Sequence, residues 1–436
     1  TSEVRFSLTG LTGDANLGLL NAQGQWVTWS WNGGTANESI VRTLAAGTYY
    51  LGVYSNSTSA HYTLSVVQTD WFDQNLRDEG LRTTTRQLAL DGILCRNDMI
   101  NIFRNAKDGN VIDANELNDL RAIVNHAARF NMPDYVKVLA NKVVYTDTAN
   151  AWWTGGEQQR TNLGNLFAGA SADHMEKLIG KWFLGLDRPS LLSEHFNDVS
   201  YQYVRGSLFK NGISAEDIVQ GEVGDCYFLA TLASIAHEQP SRIESMFIDN
   251  GDDTFTVRFF NNGKADYVTV DRYLPTRNSL WSSGKAVYAG WGGGRYDSSD
   301  NELWVALAEK AYAQLVESGW SRSRHTSSPQ NSYSGIHGGW SDYVIRQTTN
   351  LSAQQARATD ISGSALINWV NNSDRIVTVA FVDGGGYGVI NLHGYAIKSY
   401  NSATQKFFLY NPHGENHVEL TFAQLQSLNG RIVYSV

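Results

Sequence analysis

Cysteine is nearly missing from this chain: two in 436 residues, Cys95 and Cys226, far apart in sequence. They form no disulfide framework, which excludes a stapled secreted scaffold. Nowhere do Cys and His fall at metal-ligand spacing. No apolar run approaches the roughly 18 residues that a membrane-spanning helix needs. Basic residues are outnumbered, 34 Lys and Arg against 43 Asp and Glu for a net charge of -9. No basic stripe runs along the chain, so nucleic acid is excluded as a partner. No charged-then-apolar leader stands at Thr1, so any export signal is expected to have been removed or never to have existed. Composition leaves the compartment open, and no internal repeat is visible.

What remains is a soluble, globular, multidomain composition: 42% hydrophobic, 18% charged, and too long for one ordinary domain. Aromatic content is 12%, with 13 Trp and 21 Tyr, enough for large cores and for an exposed binding face. Residues 1–68 alternate apolar and polar in short runs, "VRFSL", "NLGLL", "VTWSW", "YLGVY" and "YTLSV", separated by Gly- and Asn-rich turns. That spacing predicts a small N-terminal β-sandwich. From about Asp70 the period becomes helical. Residues 97–130 read as two helices around a tight turn, with Asp113 and Glu116 as a capping box and Leu117, Leu120, Val124 and Ala127 as one stripe. An EF-hand in that turn would put Lys107 among the ligands and its glycine one position early, at Gly109, which is poor chemistry for a cation. Residues 69–185 are therefore expected to be a helical linker or regulatory region, with a further helix near 170–185. Strands "TFTVRFF" and "YVTVDRYLP", the helix "ELWVALAEKAYAQLV" and a β-rich last third follow. The expected class is multidomain α+β.

One stretch stands out: "QGEVGDCYFLATLASIAHE", residues 220–238. After Cys226, Leu229, Leu232, Ala233 and Ala236 mark one helical face. Asp225 is a candidate N-cap, which places Cys226 in the first turn, where N–H groups and the macrodipole are expected to lower a thiol pKa. Gly221 and Gly224 allow a sharp turn and keep side chains off the sulfur. A nucleophile and a buried structural cysteine both fit this position. Gln220 could add a side-chain N–H to the Cys226 backbone N–H as a two-donor oxyanion hole. For the base, His237 lies about 16 Å along the same helix and cannot reach. His61 and His126 read as ordinary, and His325 and His337 as solvated or cleft-lining. His393 starts a strand, and Asn411 ends another at "YNPHGE". Antiparallel pairing would put the Asn411 amide beside the His393 imidazole, where it could fix the tautomer.

Five motifs then carry a resemblance. "QGEVGDCYFLATLASIA" resembles the active-site segment of calpains, and "VTVDRYLPT" is similar to their Asp-Asp-Arg-Leu-Pro-Thr stretch. "NELWVALAEKAYAQL" resembles their Trp-bearing helix, "HGYAIKSY" their catalytic His segment, and "YNPHGE" their Asn-Pro-Trp-Gly-Glu. The resemblance implies a C-terminal papain-like protease core in two subdomains, 186–325 with Cys226 and 326–436 with His393 and Asn411, and with Gln220 in the oxyanion role. The strands of residues 1–68 resemble a bacterial pre-peptidase domain, and the combination is similar to calpain-like cysteine proteases of bacterial type. The chain departs from the family at Tyr227 and His413, where it has Trp, and at Leu392, where it has Gly. The resemblance also implies a calcium site at Asp217 and Glu302, while His417 stands where a second site needs an acid.

The expected function is a cysteine endopeptidase acting on protein or peptide substrates through Cys226, His393 and Asn411. Calcium modulation is open, self-processing within 69–185 is expected, and a monomer is expected. The alternative is a catalytically inactive, calpain-like scaffold that binds partners through the same core.

Overall fold

The computed structural model describes residues 2–278, 284–320 and 329–436. His325 and the boundary expected beside it lie outside the described residues. The chain divides into two compact units, residues 1–94 with 113–131, and residues 95–112 with 132–436.

In the first unit, alternation gives six strands: β1 (Ser2–Thr9), β2 (Ala15–Leu20), β3 (Trp26–Ser30), β4 (Glu38–Leu44), β5 (Tyr50–Ser55) and β6 (Thr63–Thr69). They form two three-stranded antiparallel sheets, ordered β4-β1-β6 and β3-β2-β5. Every second side chain of β1 and β2 enters one shared cluster: Val4, Phe6 and Leu8 from one, Ala15, Leu17 and Leu19 from the other. β4 was not anticipated from sequence. It buries a carboxylate, Glu38, which accepts a bond from Asn32 N–H at 2.6 Å and another from the Ser30 hydroxyl. The helix Ala114–Asn125 starts with the expected capping box: Glu116 N–H donates to Asp113 at 2.9 Å, and Asp113 N–H to Glu116 at 2.6 Å.

In the second unit, Val111–Ile112 pairs with Ala170–Ser171 rather than shaping a cation loop, and Lys107 Nζ lies 2.6 Å from Glu176. Two helices form the centre, α1 (Cys226–Glu238) and α2 (Trp304–Leu315). The single stripe expected for α1 understates it, because every residue from Tyr227 to Ala236 is buried; α2 is likewise buried throughout. Such helices have no solvent side. They meet through Phe228 and Tyr312, whose rings stack at 4.2 Å. A six-stranded antiparallel sheet follows: β7 (Ala353–Arg357), β8 (Val377–Phe381), β9 (His393–Asn401), β10 (Lys406–Tyr410), β11 (Val418–Thr421) and β12 (Arg431–Ser435), in the order β7-β12-β8-β9-β10-β11. Phe381 pairs with His393 and Ala396 with Tyr410, with a bulge between Ile397 and Ser399.

A buried cation pins α2. Lys310 is fully enclosed; its ammonium donates to the Asp271 and Tyr273 carbonyls at 2.7 Å each and to the Asp271 carboxylate. Burial pulls it down to about 8 despite the Asp271 charge. Lys310→Met should take one donor from each carbonyl and leave the Asp271 carboxylate with Arg188 and the Tyr273 N–H, costing about 2–4 kcal/mol. A lower urea midpoint at unchanged slope is the expected reading.

Candidate active site

α1 begins where a glycine turn ends, and the turn needs those glycines. A Cβ on Gly221 would sit 2.2 Å from the Tyr288 carbonyl oxygen, and one on Gly224 2.7 Å from the His337 ring. The turn is fastened to the segment that carries Asn411. Gln220 N–H donates to Pro412 O at 2.7 Å, and the Tyr410 hydroxyl donates to Ile218 O at 3.1 Å. β9 then crosses the start of α1 closely: a Cβ on Gly394 would lie 3.7 Å from the Cys226 carbonyl carbon and from Tyr227 Cα. The Gly394 N–H faces the Cys226 thiol and favours its ionised form.

The expected neighbours are brought together. His393 Nε2 lies 2.9 Å from Asn411 Oδ1, and assigning that proton to Nε2 leaves Nδ1 as the basic nitrogen. Asn411 is fully buried, and its Oδ1 also accepts the His413 N–H at 3.1 Å. The His413 ring covers His393, parallel within 2° at 5.0 Å, in the place where the family has Trp. Gln220, Cys226, Leu392, His393 and His413 line one cleft of about 680 Å³. Gln220 Nε2 donates one N–H to Val223 O at 2.8 Å and has a second to offer. His337 lines the same cleft, whereas His237 bonds to the Lys398 carbonyl at 3.1 Å.

Two expectations about charge are overturned. Asp225 occupies the N-cap position without a side-chain cap bond; its carboxyl turns inward, fully buried, beside that of Glu309. Burial pushes both carboxyls up, Glu309 further because of the neighbouring Asp225 charge. Glu309 is anchored by the Ala289 N–H at 3.0 Å. The Cys226 thiol is likewise pushed up, to about 11, by burial first, with the Asp225 charge adding to the rise; the Gly394 N–H and the Tyr227 and Cys226 N–H groups of the helix start pull it down without offsetting burial. Burial moves His393 the other way, down, against its bond to Asn411 and with the His413 ring adding to the fall.

Two further roles had no sequence signal. His417 Nδ1 accepts the Asn411 backbone N–H at 3.1 Å while its ring stacks on Tyr410 at 4.4 Å, so it braces the Asn411 loop. Leu392 holds φ +53° and is 78% exposed. This left-handed position costs a branched residue about 1–2 kcal/mol.

For calcium, Asp217 accepts the Ser214 N–H at 2.7 Å and the Trp304 indole N–H at 3.1 Å, and Glu302 accepts the Lys210 N–H at 2.7 Å. Burial and the Asp217 charge push Glu302 up to about 7, while the Lys210 ammonium turns away to Asp300 at 2.7 Å. Two mutually repelling carboxylates are a donor set that suits a hard cation, although no group of three or more acidic, His or Cys ligands occurs among the described residues.

The Asp225–Glu309 pair sets a stability gradient. Its folded-state values are raised, so the folded chain keeps protons that the unfolded chain releases in the ordinary carboxylate range. Its contribution is complete below that range and is lost as pH rises through the raised values. Asp225→Asn should flatten the fall in stability between pH 5 and 8, by up to about 1.4 kcal/mol per pH unit. Parallel profiles for the two proteins in denaturant melts would refute this.

Comparison with known proteins agrees with the motifs. Residues 188–425 match the calpain family of cysteine proteases. The chain is 32% identical over 142 residues to the calpain-type cysteine protease DEK1 of Zea mays, covering 32% of this chain and 6% of that protein. It is 36% identical over 116 residues to calpain clp-1 of Caenorhabditis elegans, covering 26% and 14%. It is 27% identical over 207 residues to calpain-5 of Mus musculus, covering 44% and 30%. The matched segments thus span less than a third of these relatives. With the family matched across more than half its length, the chain belongs to the calpain family of cysteine proteases.

Proposed function

We propose that this chain is a cysteine endopeptidase whose nucleophile is Cys226. The observation that carries the reading is the 2.9 Å bond from His393 Nε2 to Asn411, on the strand whose next residue, Gly394, packs on Cys226. The thiol proton passes to His393 Nδ1, and Sγ attacks the peptide carbonyl carbon. The Cys226 N–H and Gln220 Nε2 hold the oxyanion. His393 then protonates the departing amine as the C–N bond breaks. Water, deprotonated by His393, releases the acyl group and restores the thiol. Asn411 keeps the imidazole in one tautomer throughout.

The proposal extends to the finer features. Residues 1–68 act as a pre-peptidase-like β-sandwich of bacterial type, 69–185 as a helical region open to self-cleavage, and 186–325 and 326–436 as the two halves of a papain-like core in a monomer. Substrates are proteins. Asp217 and Glu302 would hold calcium, which neutralises their repulsion and ties the segment before Gln220 to the start of α2. Among the described residues, no helix is long and apolar enough to cross a membrane.

A second reading, a protease-like scaffold that binds without cutting, is favoured by the burial around Cys226, which pushes its thiol up to about 11. Casein hydrolysis separates the two. The intact chain should cleave, and Cys226→Ala should lose all cleavage with its melting temperature nearly unchanged. Cleavage retained by Cys226→Ala would overturn the nucleophile, and failure of the intact chain to cleave or to react with a peptidyl epoxide would favour the scaffold.

Calcium is tested by thermal shift rather than activity. Calcium in 100-fold excess over its dissociation constant should stabilise the intact chain by about 2.7 kcal/mol, and Asp217→Asn should lose most of that shift. An equal shift in both proteins would remove the site.

A further inference from the structure

The outward face of the sheet β3-β2-β5 carries an aromatic surface that neither the core of its own unit nor the proposed chemistry uses. Trp26, Trp29 and Trp31 are 50%, 59% and 73% exposed, and Tyr50 and Tyr54 about half. In a regular strand, residues three apart such as Trp26 and Trp29 point to opposite faces. Here the register shifts between Leu19 and Leu20, so that Leu19 faces Thr28 and Leu20 faces Trp26. The bulge brings both indoles to one side, where they meet edge to face at 6.3 Å.

The sheet beneath is cleared to let rings lie down. Gly18 and Gly52 pair directly across β2 and β5. A Cβ on Gly18 would fall 2.1 Å from the Trp26 ring, and one on Gly52 2.5 Å from the Tyr54 ring. Trp26 and Tyr54 therefore rest on bare backbone with centroids 5.4 Å apart and planes tilted by 52°, so the rings form the walls of a shallow groove. Glycine is a poor strand residue unless something must approach the backbone closely; here that something is a pair of exposed rings.

The surrounding chemistry narrows the ligand. The groove, about 410 Å³, is lined by these aromatics with Asn16, Ser30 and Asn56, and by no charged side chain. Asn16 Oδ1 is buried and finds no partner among the described residues. A lipid surface calls for basic residues beside the apolar face, and an acidic or basic peptide calls for opposite charge; neither is present. Flat rings flanked by neutral amides suit a ligand with apolar C–H faces and a rim of uncharged hydroxyls.

We propose that this face is a binding site for a neutral polysaccharide, with sugar rings stacked on the exposed indoles of Trp29 and Trp31 beside the Trp26–Tyr54 pair and hydroxyls bonded to the exposed amide of Asn56. The site is independent of Cys226 and of the proteolytic reading. The test is native affinity electrophoresis of the full chain, carrying Cys226→Ala to prevent self-digestion, through gels containing hydroxyethylcellulose, soluble starch or xylan, with carboxymethylcellulose as the charged counterpart. At least one neutral polymer should retard the chain. The double variant Trp29→Ala/Trp31→Ala, altered only at exposed positions, should bind about tenfold more weakly or less, two lost stacking contacts being worth roughly that factor. An unchanged melting temperature would separate this loss from misfolding. Free migration in every neutral gel would overturn the proposal, as would retardation that the double variant shares. Self-association in sedimentation velocity that the double variant abolishes would also overturn it, assigning the face to a second copy instead.

Discussion

The cleft depends on one constraint: α1 is buried on every side from Tyr227 to Ala236, so that Cys226, at its first position, reaches the cleft from a helix otherwise enclosed. A helix N-terminus in water favours an anion by about 0.3–1 kcal/mol. Moving the thiol from 9.0 to about 11 corresponds to roughly 3 kcal/mol against the anion. Desolvation is the larger effect, so the first-turn position does not by itself prepare a thiolate. The same burial raises Asp225 and Glu309, and the Asp225 charge adds to the rise of both Glu309 and Cys226. Each charge taken alone is disfavoured here. A thiolate and an imidazolium formed together attract one another in the same low-dielectric surroundings, so proton transfer from Cys226 to His393 escapes a penalty that either ionisation alone would meet.

Much of this was legible in the sequence where a local rule had no competitor. The Asp113–Glu116 capping box formed because its two bonds lie within one turn. His393 and Asn411 met because a strand start and a strand end joined by a short antiparallel connection must lie side by side. The five strands read from alternation are present, and β4 was missed because its buried inward residues include a glutamate, which no hydrophobic pattern registers. Asp225 was read as a cap because the local sequence allows it. The carboxyl of Glu309, far along the chain, competes for the same side chain and wins. Long-range pairings of this kind, with His417 bracing Asn411 as another, leave no periodic trace.

The departures from the family pattern share a physical theme. Tyr227 is enclosed, with its hydroxyl on the Ile336 carbonyl at 3.1 Å and its ring filling the space above Gly339, so the smaller ring gains a polar anchor. His413 replaces an indole with an imidazole that still stacks on His393, but it is itself ionisable and lowers its neighbour's basicity. Leu392 gives the cleft an exposed apolar side chain beside Val382, 76% exposed, whose carbonyl accepts the Leu392 N–H at 3.1 Å. A strained, solvent-facing leucine contributes little to the core. Its effect falls on whatever enters the cleft.

The aromatic residues show the limit of pattern reading most directly. Alternation in "VTWSW" says that one face of β3 is inside and the other outside, and period two alone cannot say which face receives the tryptophans. Two features outside that strand decide it. The register shift at Leu19–Leu20 turns Trp26 to the side of Trp29, and Gly18 and Gly52 on the neighbouring strands leave room for rings on the outer surface. With β1 and β2 already supplying a filled core of Val, Phe, Leu and Ala, three indoles inside would overpack it. Outside, they cover backbone that two glycines would otherwise leave bare. Composition registers the aromatic excess, and only the pairing of strands shows that part of it faces water.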